Sequence, residues 1–80
     1  MTIISDSFHT KTQYLIDNGW VERTPMAFVK YGIEIFFDNS TAVEIYLSND
    51  NSRRLDDLRI HTVADLANLE NDIKSGKYGG

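Results

Sequence analysis

The chain has 80 residues, 41% apolar and 25% charged, with a net charge of −4 and no cysteine. That is room for one domain, and it excludes a disulfide framework and any thiolate metal site. The acidic balance argues against direct nucleic-acid binding, which needs lysine and arginine to displace counterions. Residues 1–6 lack the basic stretch and apolar run of a signal peptide. The longest apolar runs, Ile35-Phe36-Phe37 and Ile45-Tyr46-Leu47, are far too short to span a membrane. A cytoplasmic protein is expected, because small secreted domains usually rely on disulfides.

The first predicted element is a helix from about Asp6 or Ser7 to Asn18. Ser5, Asp6 and Ser7 are candidate N-caps, and Ile4, Phe8, Leu15 and Ile16 approximate an apolar face. Gly19 follows at the position where a helix end favours the left-handed conformation, and Trp20 is placed to pack back on Leu15. A short strand follows at Trp20 to Arg23. Pro25 cannot donate to a ladder, so it belongs at a turn or an edge.

The run from Ala27 to Phe37 alternates like a single strand. Val29, Tyr31, Ile33, Ile35 and Phe37 fall on one face. Phe28, Lys30, Gly32, Glu34 and Phe36 fall on the other. Gly32 reads as a bulge or twist point in that strand. Asp38 to Thr41 is turn chemistry, and Val43, Ile45 and Leu47 continue the alternation. Opposed residues share a face, so odd positions must oppose odd ones. Loops of three or five residues satisfy this. The three-residue loop sets Glu34 against Glu44, so the five-residue loop, with Phe37 opposite Val43, is preferred.

Ser48 to Ser52 reads as a loop, and Leu58 to His61 as a short strand. Thr62 is a predicted N-cap with Asp65 three residues on, close to a capping box. Val63, Leu66, Ala67, Leu69 and Ile73 then recur at helical spacing, with Glu70 facing water, until Gly76. The expected fold class is α+β: an antiparallel sheet of three to four strands with N- and C-terminal helices on one face, in the order α-β-β-β-β-α. Residues 1–75 form the domain, and 76–80 read as a flexible tail. Ile33, Ile35, Val43, Ile45, Leu66 and Leu69 are the predicted core.

No motif rises to catalysis. His9 and His61 lie far apart in sequence, with no third ligand indicated. Asp50 to Asp57 resembles part of a calcium loop but lacks its glycine and terminal glutamate. Ser5, Asp6, Ser7 and His9 are triad residue types without a nucleophile elbow, and helix capping accounts for them. Asn39-Ser40-Thr41 matches a glycosylation acceptor but reads as a turn in a chain without a secretory signal. No cofactor or metal site is expected, and no enzyme activity.

The feature that stands out is the second face of the hairpin. With odd positions committed to the core, Phe28, Phe36 and Tyr46 face outward among Lys30, Glu34 and Glu44. Aromatics framed by charge are common at interfaces, although β-propensity alone also places large side chains on open sheets. The segments Ile16-Asp17-Asn18-Gly19-Trp20, Tyr31 to Asp38, and Ile60 to Leu66 resemble short α/β proteins encoded by bacteriophages and other mobile elements. That resemblance implies a protein that binds and blocks one host or defence protein, CRISPR enzymes included. The alternatives are a homodimeric protein that sequesters a small ligand, and an immunity or antitoxin protein. The expected partner is thus a protein or a second copy of the chain, and the expected binding residues are Phe28, Lys30, Glu34, Phe36, Glu44 and Tyr46, with the loop Ser48 to Arg54 as the alternative surface.

Overall fold

A computed structural model describes residues 5–79; Ile4, predicted on the first helical face, and Gly80 lie outside them. Helix α1 spans Phe8–Asp17 and five strands follow: β1 Val21–Thr24, β2 Ala27–Lys30, β3 Ile33–Phe37, β4 Ala42–Leu47 and β5 Asp56–Arg59. Helix α2, Val63–Lys74, closes the fold. The strands form one antiparallel sheet in sequential order, β1-β2-β3-β4-β5. The α+β class is as expected, with one strand more than the three to four read from the pattern.

The extra strand comes from Tyr31-Gly32. Both residues have positive φ, 58° and 73°, and Lys30 opposes Ile33 across them. This is a two-residue turn of the primed type, whose backbone twist suits a tight hairpin. Gly32 is therefore a turn residue and not a bulge within one long strand. A two-residue turn pairs even positions with odd ones, so Phe28 opposes Ile35 and Lys30 opposes Ile33. Both side chains consequently move to the helix side, which corrects the expected outward placement of Phe28 and Lys30. Val29, assigned to the core by simple alternation, moves to the outer face opposite Glu34.

Between β3 and β4 the register is the one preferred from sequence. Phe37 opposes Val43 and Ile35 opposes Ile45. Asn39 Oδ1 holds the connecting loop, accepting from Thr41 N at 2.9 Å and Ala42 N at 2.8 Å. Pro25 and Met26 form the β1–β2 turn, where Thr24 Oγ1 accepts from Met26 N at 3.2 Å.

One core lies between the sheet and the two helices. Leu15, Trp20, Phe28, Ile33, Ile35, Phe37, Val43, Ile45, Ile60, Leu66, Leu69 and Ile73 are buried together. The six predicted core residues are all among them. Phe8 and Phe28 each meet the Phe37 ring edge to face, at 5.2 and 6.2 Å, a favoured aromatic geometry.

The helix ends follow their sequence signals. Ser7 Oγ accepts from Thr10 N at 3.1 Å and caps α1. At its other end Gly19 N donates to Ile16 O and Trp20 N to Leu15 O, the paired bonds of a Schellman motif. Thr62 and Asp65 complete the capping box of α2. Asp6 adds an acceptor from outside the helix, taking Val63 N–H at 2.8 Å.

Three placements differ from the sequence reading. Ile16 is exposed, and Lys11 holds the core-facing position of α1 in its place. The Lys11 side chain is 0% exposed. Its ammonium donates to Ser40 O and, at 2.9 Å, to Ile60 O. Glu70, predicted to face water, accepts from Lys30 Nζ at 3.2 Å and Tyr31 Oη at 3.1 Å. Within the expected loose tail, Tyr78 is half-buried against the core and donates to Asp56 Oδ2 at 2.8 Å.

Candidate functional site

The outer face of the sheet, opposite the helices, is built by period-two alternation in each strand. It presents Val21 and Arg23 from β1, Ala27 and Val29 from β2, and Glu34 and Phe36 from β3. Glu44 and Tyr46 come from β4, and Asp57 and Arg59 from β5. Four of the six sequence-predicted binding residues, Glu34, Phe36, Glu44 and Tyr46, are brought together here. Glu34 stands opposite Tyr46, and Phe36 opposite Glu44. Phe28 and Lys30 are on the other side of the sheet.

The charges on this face are organised. Glu34 is only 4% exposed. Its Oε1 accepts from Arg23 Nη1 at 2.7 Å, and Asn51 Nδ2 lies at 3.4 Å. Arg23 also donates to Ser48 O at 3.1 Å, tying β1 to the loop after β4. Glu44 accepts from Tyr46 Oη at 2.8 Å and from Arg54 at 3.3 Å. The hydrogen bond to Glu44, aided by burial, pushes the Tyr46 phenol above its ordinary pKa, because ionising it would set two anions side by side. Phe36 and Tyr46 remain half-buried, flanked by these pairs.

Arg23 lies outside both surfaces expected from the sequence, while Asn51 and Arg54 belong to the alternative loop surface, which the structure joins to the sheet face through Glu34 and Glu44. All three lie in β1 or the loop after β4, outside the hairpin whose alternation pointed to the surface. An available signal was the abundance of carboxylates on the hairpin's outward positions, which need cations from elsewhere.

Toward the β3–β4 loop the face opens into a cleft of about 310 Å³. Asp38, Asn39, Glu44, Arg54, Asp57 and Arg59 line it together with Ala42, Val43 and Leu58. The cleft holds both guanidinium and carboxylate groups.

The candidate chemical clusters do not assemble. Ser7 caps α1, and Asp6 accepts from the first N–H of α2. Ser5 Oγ lies 3.3 Å from His61 Nδ1, while His9 lines a shallow groove with Gln13, Tyr14 and Val63. Asp50 accepts from Ser52 Oγ at 2.6 Å and Ser52 N at 3.1 Å. Those two bonds hold its carboxyl below the ordinary range. Among the described residues no group of three or more His, Asp or Glu side chains could hold a metal ion. No helix among them is long and apolar enough to cross a membrane. Comparison with protein-family models, with curated proteins and with solved structures returned no match.

Proposed function

We propose that this chain is a non-enzymatic protein-binding module whose outer sheet face docks another protein. One observation carries the reading. The face left uncovered by the helices holds half-buried Phe36 and Tyr46 between the Arg23–Glu34 and Arg54–Glu44 pairs. Tyrosine and arginine are the side chains that most often anchor interfaces. The pairs hold their neighbours in place before contact, which lowers the ordering cost of binding. The net charge of −4 favours a partner with a basic contact surface, through faster and more selective encounter. The resemblance to mobile-element proteins supports a role as an inhibitor of a bacterial host or defence protein, acting in the cytoplasm.

The test is a purified complex. A partner identified by capture from a bacterial lysate is titrated with the wild-type chain and with Phe36→Ser/Tyr46→Ser, using calorimetry. The double variant should stay folded and bind at least about tenfold more weakly, as the loss of interface anchors requires. A folded double variant with unchanged affinity would place the binding surface elsewhere. A second reading rests on the cleft beside Arg54 and Arg59. Its volume reaches the roughly 300 Å³ at which small-molecule sites begin. A polar small molecule that co-purifies with the chain and is lost in Arg59→Ala would favour that reading.

A further inference from the structure

Among the described residues strand β5 ends the sheet, with Asp6 N–H donating to His61 O just past its C-terminal end, and the backbone groups on the strand's far side can be identified. Ile60 N–H donates across to Thr41 O at 2.7 Å. Strand backbone groups alternate in direction from residue to residue. Leu58 therefore also turns its groups toward β4, and Asp57 and Arg59 turn theirs toward the open edge. In keeping with this, Asp57 N–H donates to the side chain of its neighbour, Asp56 Oδ1, at 2.8 Å. Leu58 lies on the helix side opposite Val43, while Asp57 and Arg59 are exposed on the outer face. Beside the edge runs a shallow groove lined by Leu58 and Ile60 of this segment and by Asn68, Leu69 and Asp72 of α2.

We propose that β5 pairs antiparallel with β5 of a second copy, about a twofold axis through Leu58, to form a ten-stranded sheet. The register follows from the side chains. Keeping both helix layers on one side of a continuous sheet requires the axis to pass through a residue. An axis through Asp57 sets two aspartates opposite each other, and one through Arg59 sets two arginines opposite. Like charges directly opposed are unfavourable. The axis through Leu58 instead opposes Asp57 to Arg59 of the second copy, twice. Those are also the residues whose N–H and C=O groups face the edge and can exchange hydrogen bonds across it, Asp57 N–H giving up its bond to Asp56 Oδ1. The two Leu58 side chains then meet at the axis beside the groove. The other edge does not offer this fit, because β1 has an irregularity between Glu22 and Thr24 that interrupts a regular ladder.

Sedimentation equilibrium up to about 1 mM chain tests the proposal, since a four-residue edge is expected to associate weakly. The wild-type chain should dimerise reversibly. Asp57→Arg alone and Arg59→Asp alone each create like-charge pairs, and each should weaken the dimer by at least about tenfold. An equimolar mixture of these two variants should recover it, because one chain then carries two cations and the other two anions. Phe36→Ser/Tyr46→Ser should leave the dimer intact, which separates this edge from the outer face. Circular dichroism confirms that each variant is folded. A chain that stays monomeric throughout the range overturns the proposal. So does a dimer that neither single variant weakens, or a mixture that stays monomeric.

Discussion

Lys11→Met tests how a buried cation is tolerated inside so small a domain. The methionine keeps most of the aliphatic stem and deletes the ammonium. In the wild type that ammonium is fully buried and donates to Ser40 O and Ile60 O. Two opposing terms follow. Removing the charge relieves its desolvation cost, which is why burial pushes the Lys11 ammonium below its ordinary pKa despite the nearby Asp6 and Asp65 carboxylates. Removing the donor leaves two carbonyls without a partner, at about 1–3 kcal/mol each when water cannot replace it. The Ile60 bond is buried and the Ser40 bond only partly so, so the second carbonyl can be rehydrated in part. The carbonyl term is expected to win, giving a net loss of about 2–4 kcal/mol. Domains hold only about 0.05–0.15 kcal/mol per residue in reserve, so this is a large fraction of the total.

Urea denaturation followed by Trp20 fluorescence reads the difference directly. The pH dependence supplies a second check. The folded-state pKa of Lys11 lies below that of the unfolded chain. Between the two values the unfolded state holds more protons, so this group makes stability rise with pH in that window. Below the window the cost of the buried charge is fully present. Wild type should therefore gain stability relative to Lys11→Met on passing from neutral pH to the ordinary lysine pKa. A methionine variant as stable as wild type at pH 7 would refute the reasoning, because desolvation would then outweigh both hydrogen bonds.

Phe28→Ala should cost about 3–5 kcal/mol, and Phe36→Ala much less, in parallel urea titrations; equal losses would contradict the placement of Phe28 in the core. Thr62→Ala should lower stability by about 1 kcal/mol through loss of the α2 cap, seen as a shifted denaturation midpoint at unchanged slope. Burial and the hydrogen bond to Asp56 push the Tyr78 phenol upward. Its folded pKa thus exceeds the unfolded value, so its contribution is complete below about pH 10 and fades above that value. Tyr78→Phe should flatten the loss of stability between pH 9 and about 11, and an unchanged alkaline profile would mean that Tyr78 is not docked.

Most of the fold is legible in the sequence where a residue type admits one local geometry. Gly19 after Asn18, the Thr62–Asp65 box and the Pro25 turn each specify a backbone state, and each is where the pattern puts it. The β3–β4 register follows because like charges exclude the competing loop. The Tyr31-Gly32 turn escapes the same logic. Its first residue is an aromatic with high strand propensity, and the flanking residues alternate without interruption. Length was the available signal, since an eleven-residue strand exceeds the usual three to ten. The consequence is large because period-two patterns carry no information on where a chain reverses. One two-residue turn that the pattern does not mark flips the face of every strand residue before it, and so Phe28 and Lys30 lie on the helix side where alternation places them outside.

The proposed docking face is legible only in part, for a related physical reason. Alternation identifies which residues of β3 and β4 leave the core, so Glu34, Phe36, Glu44 and Tyr46 are found together. It says nothing about which distant side chains come to rest on them. Arg23 reaches Glu34 because β1 is brought to the sheet edge by the Pro25 turn, and Arg54 reaches Glu44 because the loop after β4 folds back. Those contacts turn an apparently flat aromatic patch into one subdivided by ion pairs. The difference bears on energetics. An uninterrupted apolar surface favours indiscriminate association, whereas aromatics set among fixed charges penalise a partner that cannot match them. On the proposed docking role, the arginines would contribute selectivity more than affinity. If the face docks a protein as proposed, calorimetric titration of Arg23→Ala or Arg54→Ala should show binding to unrelated proteins appear before affinity for the captured partner falls. Variants that lose that affinity without gaining new binding would refute this.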